Sequence, residues 1–146
     1  MEVLKLKFTI IKFLFGLLLN AYYNILADIK YNSIMKKPDI KIILEKYFKL
    51  FSSKDIYSLE QIFSKDIELI DWEINCIGIK KVLEANKKIF ESVSSIKVTT
   101  KEIYVDGLTS TCIIEILINE KDMLKVVDII SFTDQGKISK ISAYKQ

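Results

Sequence analysis

Histidine and arginine are absent from all 146 residues, and those two gaps exclude more chemistry than any motif includes. Without histidine there is no Ser/His or Cys/His nucleophile pair, and the commonest transition-metal ligand is missing. Without arginine there is no planar guanidinium fork to clamp a phosphate or carboxylate through two bonds at once. Four glycines and one proline leave little material for a phosphate-cradling loop, and no GxGxxG, P-loop, EF-hand or GxSxG pattern occurs. Cys76 and Cys112 lie far apart with no CxxC spacing. They read as small buried hydrophobes, with a disulfide open to them only if the domain is exported. Any proton chemistry therefore falls to Asp, Glu, Tyr, Lys or Cys.

What is present is apolar and nearly charge-balanced. Half of the residues are hydrophobic, enough for one domain to bury a core without staples. The formal charge is +3, but residues 1–34 carry four lysines against Glu2 and Asp28, leaving 18 basic and 17 acidic groups beyond them. A near-neutral remainder argues against a nucleic-acid footprint. Residues 1–34 form a hydrophobic extension, in which Lys5, Lys7 and Lys12 precede Phe13-Leu-Phe-Gly-Leu-Leu-Leu19 before Asn20, Tyr22, Tyr23 and Asn24 dilute the run. The pattern fits an export signal, an interfacial anchor or a helix on the domain surface, with Met35 as an alternative start. The expected location is cytoplasmic, with membrane contact, if any, through residues 1–27.

Residues 35–146 read as the domain. Pro38 breaks whatever precedes it and Asp39 is an N-cap for a helix over Ile40–Phe51, where Ile40, Ile43, Tyr47 and Phe51 recur at three and four residues. A second helix is expected over Ile56–Phe63, broken by Ser64-Lys65-Asp66, and then a strand over Ile67–Trp72. Gly78 introduces a third helix, Ile79 to about Val93. Four strands follow, over Ile96–Val105, Thr111–Ile118, Met123–Phe132 and Lys137–Tyr144, the last two joined by an Asp-Gln-Gly turn in which Gly136 is free to take positive φ. Strands in series after helices, without βαβ alternation, predict an α+β domain with a mainly antiparallel sheet curled over helices.

Three side chains stand out, each with a plain alternative. Asp128 is flanked by Val126, Val127, Ile129 and Ile130, so it is either a surface acid between buried neighbours or a buried acid whose ionisation is disfavoured. Tyr47 falls on the buried helical stripe, where a core aromatic with its hydroxyl at the edge is the ordinary fate. Asp71 ends a strand, facing an apolar cleft or capping a turn.

The order of elements, with Lys46-Tyr-Phe-Lys-Leu-Phe51, Asp55-Ile-Tyr-Ser-Leu59, Phe63-Ser-Lys-Asp66, Glu68-Leu-Ile-Asp71, Gly78, Val126-Val-Asp-Ile-Ile-Ser-Phe132, Gly136-Lys-Ile138 and Ala143-Tyr144, resembles the nuclear transport factor 2-like superfamily, which includes ketosteroid isomerases and SnoaL-like polyketide cyclases. The resemblance covers about Asp39 to the C-terminus. It implies a cone-shaped, curved, mainly antiparallel sheet wrapped around three helices; the extra N-terminal hydrophobic helix is expected outside the part that the resemblance covers. It also implies a general base at Asp71 and an oxyanion-binding pair at Tyr47 and Asp128, the latter kept protonated. The implied substrate pocket is lined by Phe51, Phe63, Trp72, Asn86, Val126 and Ile130.

The implied ligand is a small apolar carbonyl compound, and the implied activity is a C=C isomerase or a cyclase that needs no cofactor and no metal. The alternative is a noncatalytic binder or dimerisation module of the same fold. Departures from the isomerase pattern include Trp72 after the base where those enzymes have proline. Phe63 and Asn86 replace supporting tyrosines, and Lys145 replaces a late pocket aromatic. With apolar residues on both faces of the strand around Asp128, the sheet's outer side is expected to be covered, by a homodimer partner in preference to the N-terminal segment.

Overall fold

The computed structural model describes the backbone of residues 1–35 and 37–146 and the side chains of residues 1, 12, 14–30 and 37–146. The chain divides into two compact units, Met1–Lys36 and Lys37–Gln146. The first is a helix, α1 (Glu2–Met35). Leu14, Phe15, Leu17 and Leu18 are exposed on several sides of it, because consecutive apolar residues cannot gather on one stripe at 3.6 residues per turn. Among the described residues, no helix is long and apolar enough to cross a membrane.

In the second unit α2 (Ile40–Ser52) starts where Asp39 accepts a hydrogen bond from the Ile42 N–H at 3.3 Å. Its buried stripe is Ile40, Leu44, Tyr47 and Phe48. Lys54, at φ 56°, reverses the chain. Its ammonium donates to the carbonyls of Phe90 at 2.9 Å, Ser94 at 3.1 Å and Val93, tying the turn to the end of α4 (Ile79–Ser92). Asp55 caps α3 (Ile56–Ile62) by accepting from the Ser58 N–H at 3.0 Å.

The strands are β1 (Phe63–Ile70), β2 (Asn75–Ile77), β3 (Ile96–Asp106), β4 (Thr109–Ile118), β5 (Asp122–Phe132) and β6 (Ile138–Lys145). They form one sheet in the order β2-β1-β6-β5-β4-β3. Every neighbouring pair is antiparallel except β1 with β6. Register shifts interrupt the ladders near Thr100, Ser131 and Phe63–Glu68, and such irregularities let a sheet bend. Leu44, Leu59, Ile67, Val82, Ile114 and Ile138 are fully buried in the core.

Two expectations need correction. The second helix ends at Ile62, and Phe63, Ser64, Lys65 and Asp66 belong to β1, because pairing of Phe63 with Ile138 of β6 captures a segment whose polar residues look locally like a break. The short β2 was not expected either; it is held by three residue pairs with β1, from Glu68–Ile77 to Ile70–Asn75. Three residues carry no periodicity of their own.

Candidate active site

β5 alternates strictly: Val126, Asp128, Ile130 and Phe132 are buried, while Ile129 on the other face is 37% exposed. Asp128 is paired across the sheet with Cys112 on β4 and Ala143 on β6. These are small side chains, and they leave room beside the carboxyl group. Ile114, Val126, Ala143 and Lys145 line a cavity of about 350 Å³ in front of that row, together with residues of α2, α4 and the β1–β2 turn. That volume lies near the lower end for small-molecule sites.

Tyr47 from α2, Asp71 from the β1–β2 turn and Asp128 from β5 all reach this cavity. Tyr47 is 6% exposed, its ring packed at 5.1 Å from Phe48 and 6.1 Å from both Phe51 and Phe63, measured between centroids. Burial holds its phenol well above the usual range, and the neighbouring Asp128 and Cys112 push the same way. Tyr47 is therefore a neutral donor at any working pH.

Asp128, also 6% exposed, is pushed up to about 7, first by loss of solvent and second by the charge of Asp71. Cys112 is pushed up to about 11 by burial, against the opposing effect of a 3.8 Å contact with the Ser110 hydroxyl. It is an inert wall behind the site.

Asp71 combines both fates that its sequence position allows. Its Oδ1 accepts the N–H groups of Glu73 at 2.6 Å and Ile74 at 2.5 Å, and its own N–H donates to the Ile74 carbonyl at 2.8 Å. The turn fixes the carboxylate while leaving Oδ2 as the oxygen available to a ligand. Around it stand Trp72, 45% exposed, Glu73 and Lys145, whose Nζ lies 5.8 Å from the Trp72 ring centroid. Exposure thus falls from this rim inward to Tyr47, Asn86 and Asp128.

Of the expected lining residues, Phe51, Trp72, Asn86 and Val126 border the cavity. Phe63 and Ile130 do not, and this corrects the sequence expectation. Phe63 stands behind Tyr47 as a ring support, and Ile130, fully buried opposite Ile141, is sealed within the core. Sequence reasoning did not place Ala143 and Ile114 on the wall, although both share the period-two face of Asp128 once register is known. Among the described residues there is no group of three or more His, Cys, Asp or Glu that could hold a metal.

The site's polar groups are not paired with one another. Among the described residues the Tyr47 hydroxyl, both Asp128 oxygens and both amide atoms of Asn86 have no hydrogen-bond partner, yet none is sealed off. They open onto the cavity. There water or a ligand can bond them, and without such a partner polar groups in an apolar enclosure are costly.

No protein-family model and no curated protein sequence matches the chain. Solved structures do. A nuclear transport factor 2-like protein of unknown function from Cytophaga hutchinsonii superposes with a TM-score of 0.64 at 11% identity, over 77% of this chain and 95% of that one. A proposed ketosteroid isomerase from Kribbella flavida gives 0.66 at 14% identity, over 77% and 81%. A proposed polyketide cyclase from Sinorhizobium meliloti gives 0.63 at 20% identity, over 75% and 97%. At such identities the likeness speaks for architecture alone. The curved, mostly antiparallel six-stranded sheet with its helices, superposing on these proteins over about three quarters of the chain, gives the nuclear transport factor 2-like fold.

Proposed function

We propose that the protein moves a proton next to a carbonyl group of a small, mainly apolar substrate, as an isomerase of the ketosteroid type or a SnoaL-like cyclase does. One observation carries this reading: two carboxyl groups and a phenol open on a single, largely aliphatic cavity, and burial raises the proton affinity of Asp128. In that arrangement Oδ2 of Asp71 takes the proton from the carbon. The Tyr47 hydroxyl and the protonated Asp128 donate to the oxygen on which negative charge collects. Asp71 then returns the proton, either to the same carbon or two carbons along, which shifts a double bond. The negative charge of Asp71 helps keep Asp128 protonated, so the base and the donor support each other.

The Asp71→Asn variant tests this. Deuterium exchange into β,γ-unsaturated cyclohexenones, and their conversion to conjugated isomers, is expected to fall by about 10²–10⁴-fold. Equal exchange in both proteins would refute the assignment of the base.

A second reading, a noncatalytic binder of the same fold, is favoured by one specific feature. The Tyr47 hydroxyl has no supporting hydrogen bond among the described residues, and Phe63 behind it has none to offer. Tight ligand binding with no exchange in the wild type would decide for the binder.

We also infer that the chain pairs with a second copy through the outer face of the sheet. Tyr104, Thr111 and Ile129 form one cross-strand row there, and Ile113, Val127 and Tyr144 the next. Tyr104, Ile129 and Tyr144 are exposed, and an apolar strip of that kind is a natural isologous contact.

A further inference from the structure

Asn86 occupies a position where helix periodicity calls for an aliphatic residue. On α4 it lies four residues from Val82 and four from Phe90, and those three are the buried residues of the helix. Asn86 is only 3% exposed. Two other buried or half-buried polar side chains find backbone partners, Ser110 donating to the Ile130 carbonyl at 3.4 Å and Ser52 to the Phe48 carbonyl at 2.7 Å, whereas the Ser64 hydroxyl is buried in the core without one. The Asn86 amide has no such partner among the described residues, and both Oδ1 and Nδ2 remain open towards the cavity. An amide held this way gains no hydrogen bond from the protein around it, whereas leucine in its place would bury apolar surface.

We propose that Asn86 is a specificity-determining residue, a second hydrogen-bonding anchor that selects a ligand carrying a hydroxyl or enol in addition to its carbonyl. The inference rests on the reading of Tyr47 and Asp128 as the partners of the first oxygen. It goes beyond that reading by making the ligand bifunctional. The amide offers one acceptor and two donors from a single planar group. A hydroxyl both donates to Oδ1 and accepts from Nδ2, whereas an ether or second carbonyl leaves Oδ1 unmatched. Because Asn86 comes from α4 while Tyr47 comes from α2 and Asp128 from β5, the two anchors are set by separate elements. The spacing between the ligand's two oxygens is thereby part of what is recognised.

Fluorescent naphthols test this without turnover. Binding of 2-naphthol, of the 1,6-, 2,6- and 2,7-dihydroxynaphthalenes, and of their monomethyl ethers is titrated against the wild-type protein, Asn86→Leu and Asn86→Ala. The wild type is expected to bind its preferred diol about tenfold more tightly than 2-naphthol, the gain of one or two hydrogen bonds, and the ether no better than 2-naphthol. Both variants are expected to bind diol and 2-naphthol equally. The melting temperature of ligand-free Asn86→Leu is expected to rise by about 4 °C, the opposite of what loss of a structural hydrogen bond would do.

A diol preference that survives in Asn86→Ala, no preference in the wild type, a fall in melting temperature for Asn86→Leu, or failure to bind any naphthol each overturns the proposal. Loss of discrimination on substitution together with unaltered exchange in Asp71→Asn would keep this anchor while removing the assignment of the base.

Discussion

Replacing Asp128 by asparagine tests the electrostatic core of the site through stability. The side chain keeps its shape and its polarity but can no longer ionise. In the wild type the folded-state pKa is about 7 against 3.8 for an ordinary aspartate. Between those values the folded protein retains a proton that the unfolded chain has released. Stability is therefore fully present below about pH 3.8, falls as pH rises, and is flat again above about pH 7. At 1.36 kcal/mol per pH unit the whole window is worth about 4 kcal/mol, of which roughly 2–3 kcal/mol falls between about pH 5 and pH 8.5.

Asp128→Asn removes this dependence. Urea unfolding of both proteins across that interval is expected to give a stability gap that widens in favour of the variant as pH rises, by roughly 2–3 kcal/mol. The other titrating groups are common to both chains and cancel in the difference, apart from their coupling to Asp128. A gap independent of pH would mean that Asp128 ionises as an exposed acid does. The donor role would then be lost.

Other consequences are open to measurement. Gly136 has φ 77°, and a Cβ there would meet the Cβ of Pro38 at 2.8 Å and Cδ1 of Ile43 at 2.9 Å. Gly136→Ala is accordingly expected to lower the unfolding free energy by about 1–3 kcal/mol in chemical denaturation; an unchanged midpoint would show that the β5–β6 turn yields freely. Ile129→Lys adds a charge to the middle of the outer strip without touching the cavity. It is expected to convert a dimer to a monomer in sedimentation equilibrium, and a monomeric wild type would refute the pairing.

How far the site could be read from the chain differs residue by residue. Tyr47 was legible as buried because its own helix declares the stripe. Asp71 was legible as the end of a strand, and the turn bonds to Glu73 and Ile74 follow a familiar habit of aspartate. Asp128 was only half legible. Both faces of its strand are apolar, so local pattern could not tell inward from outward. Phe63 and Ile130 were misassigned to the wall for a related reason: apolarity does not distinguish a residue that lines a cavity from one that fills the core around it.

The amino-acid sequence by itself determined the three helices of the domain, the cap at Asp39, the turn at Gly136, and the exclusion of histidine- and arginine-based chemistry. These depend on neighbours within a few positions, where periodicity and side-chain reach are decisive. Only the tertiary structure decided that β1 pairs in parallel with β6 and that Cys112 and Ala143 flank Asp128. It alone revealed that the Asn86 amide has no hydrogen-bond partner among the described residues. Solvent exclusion is set by atoms contributed from the whole chain, and so is the proton affinity of a buried acid.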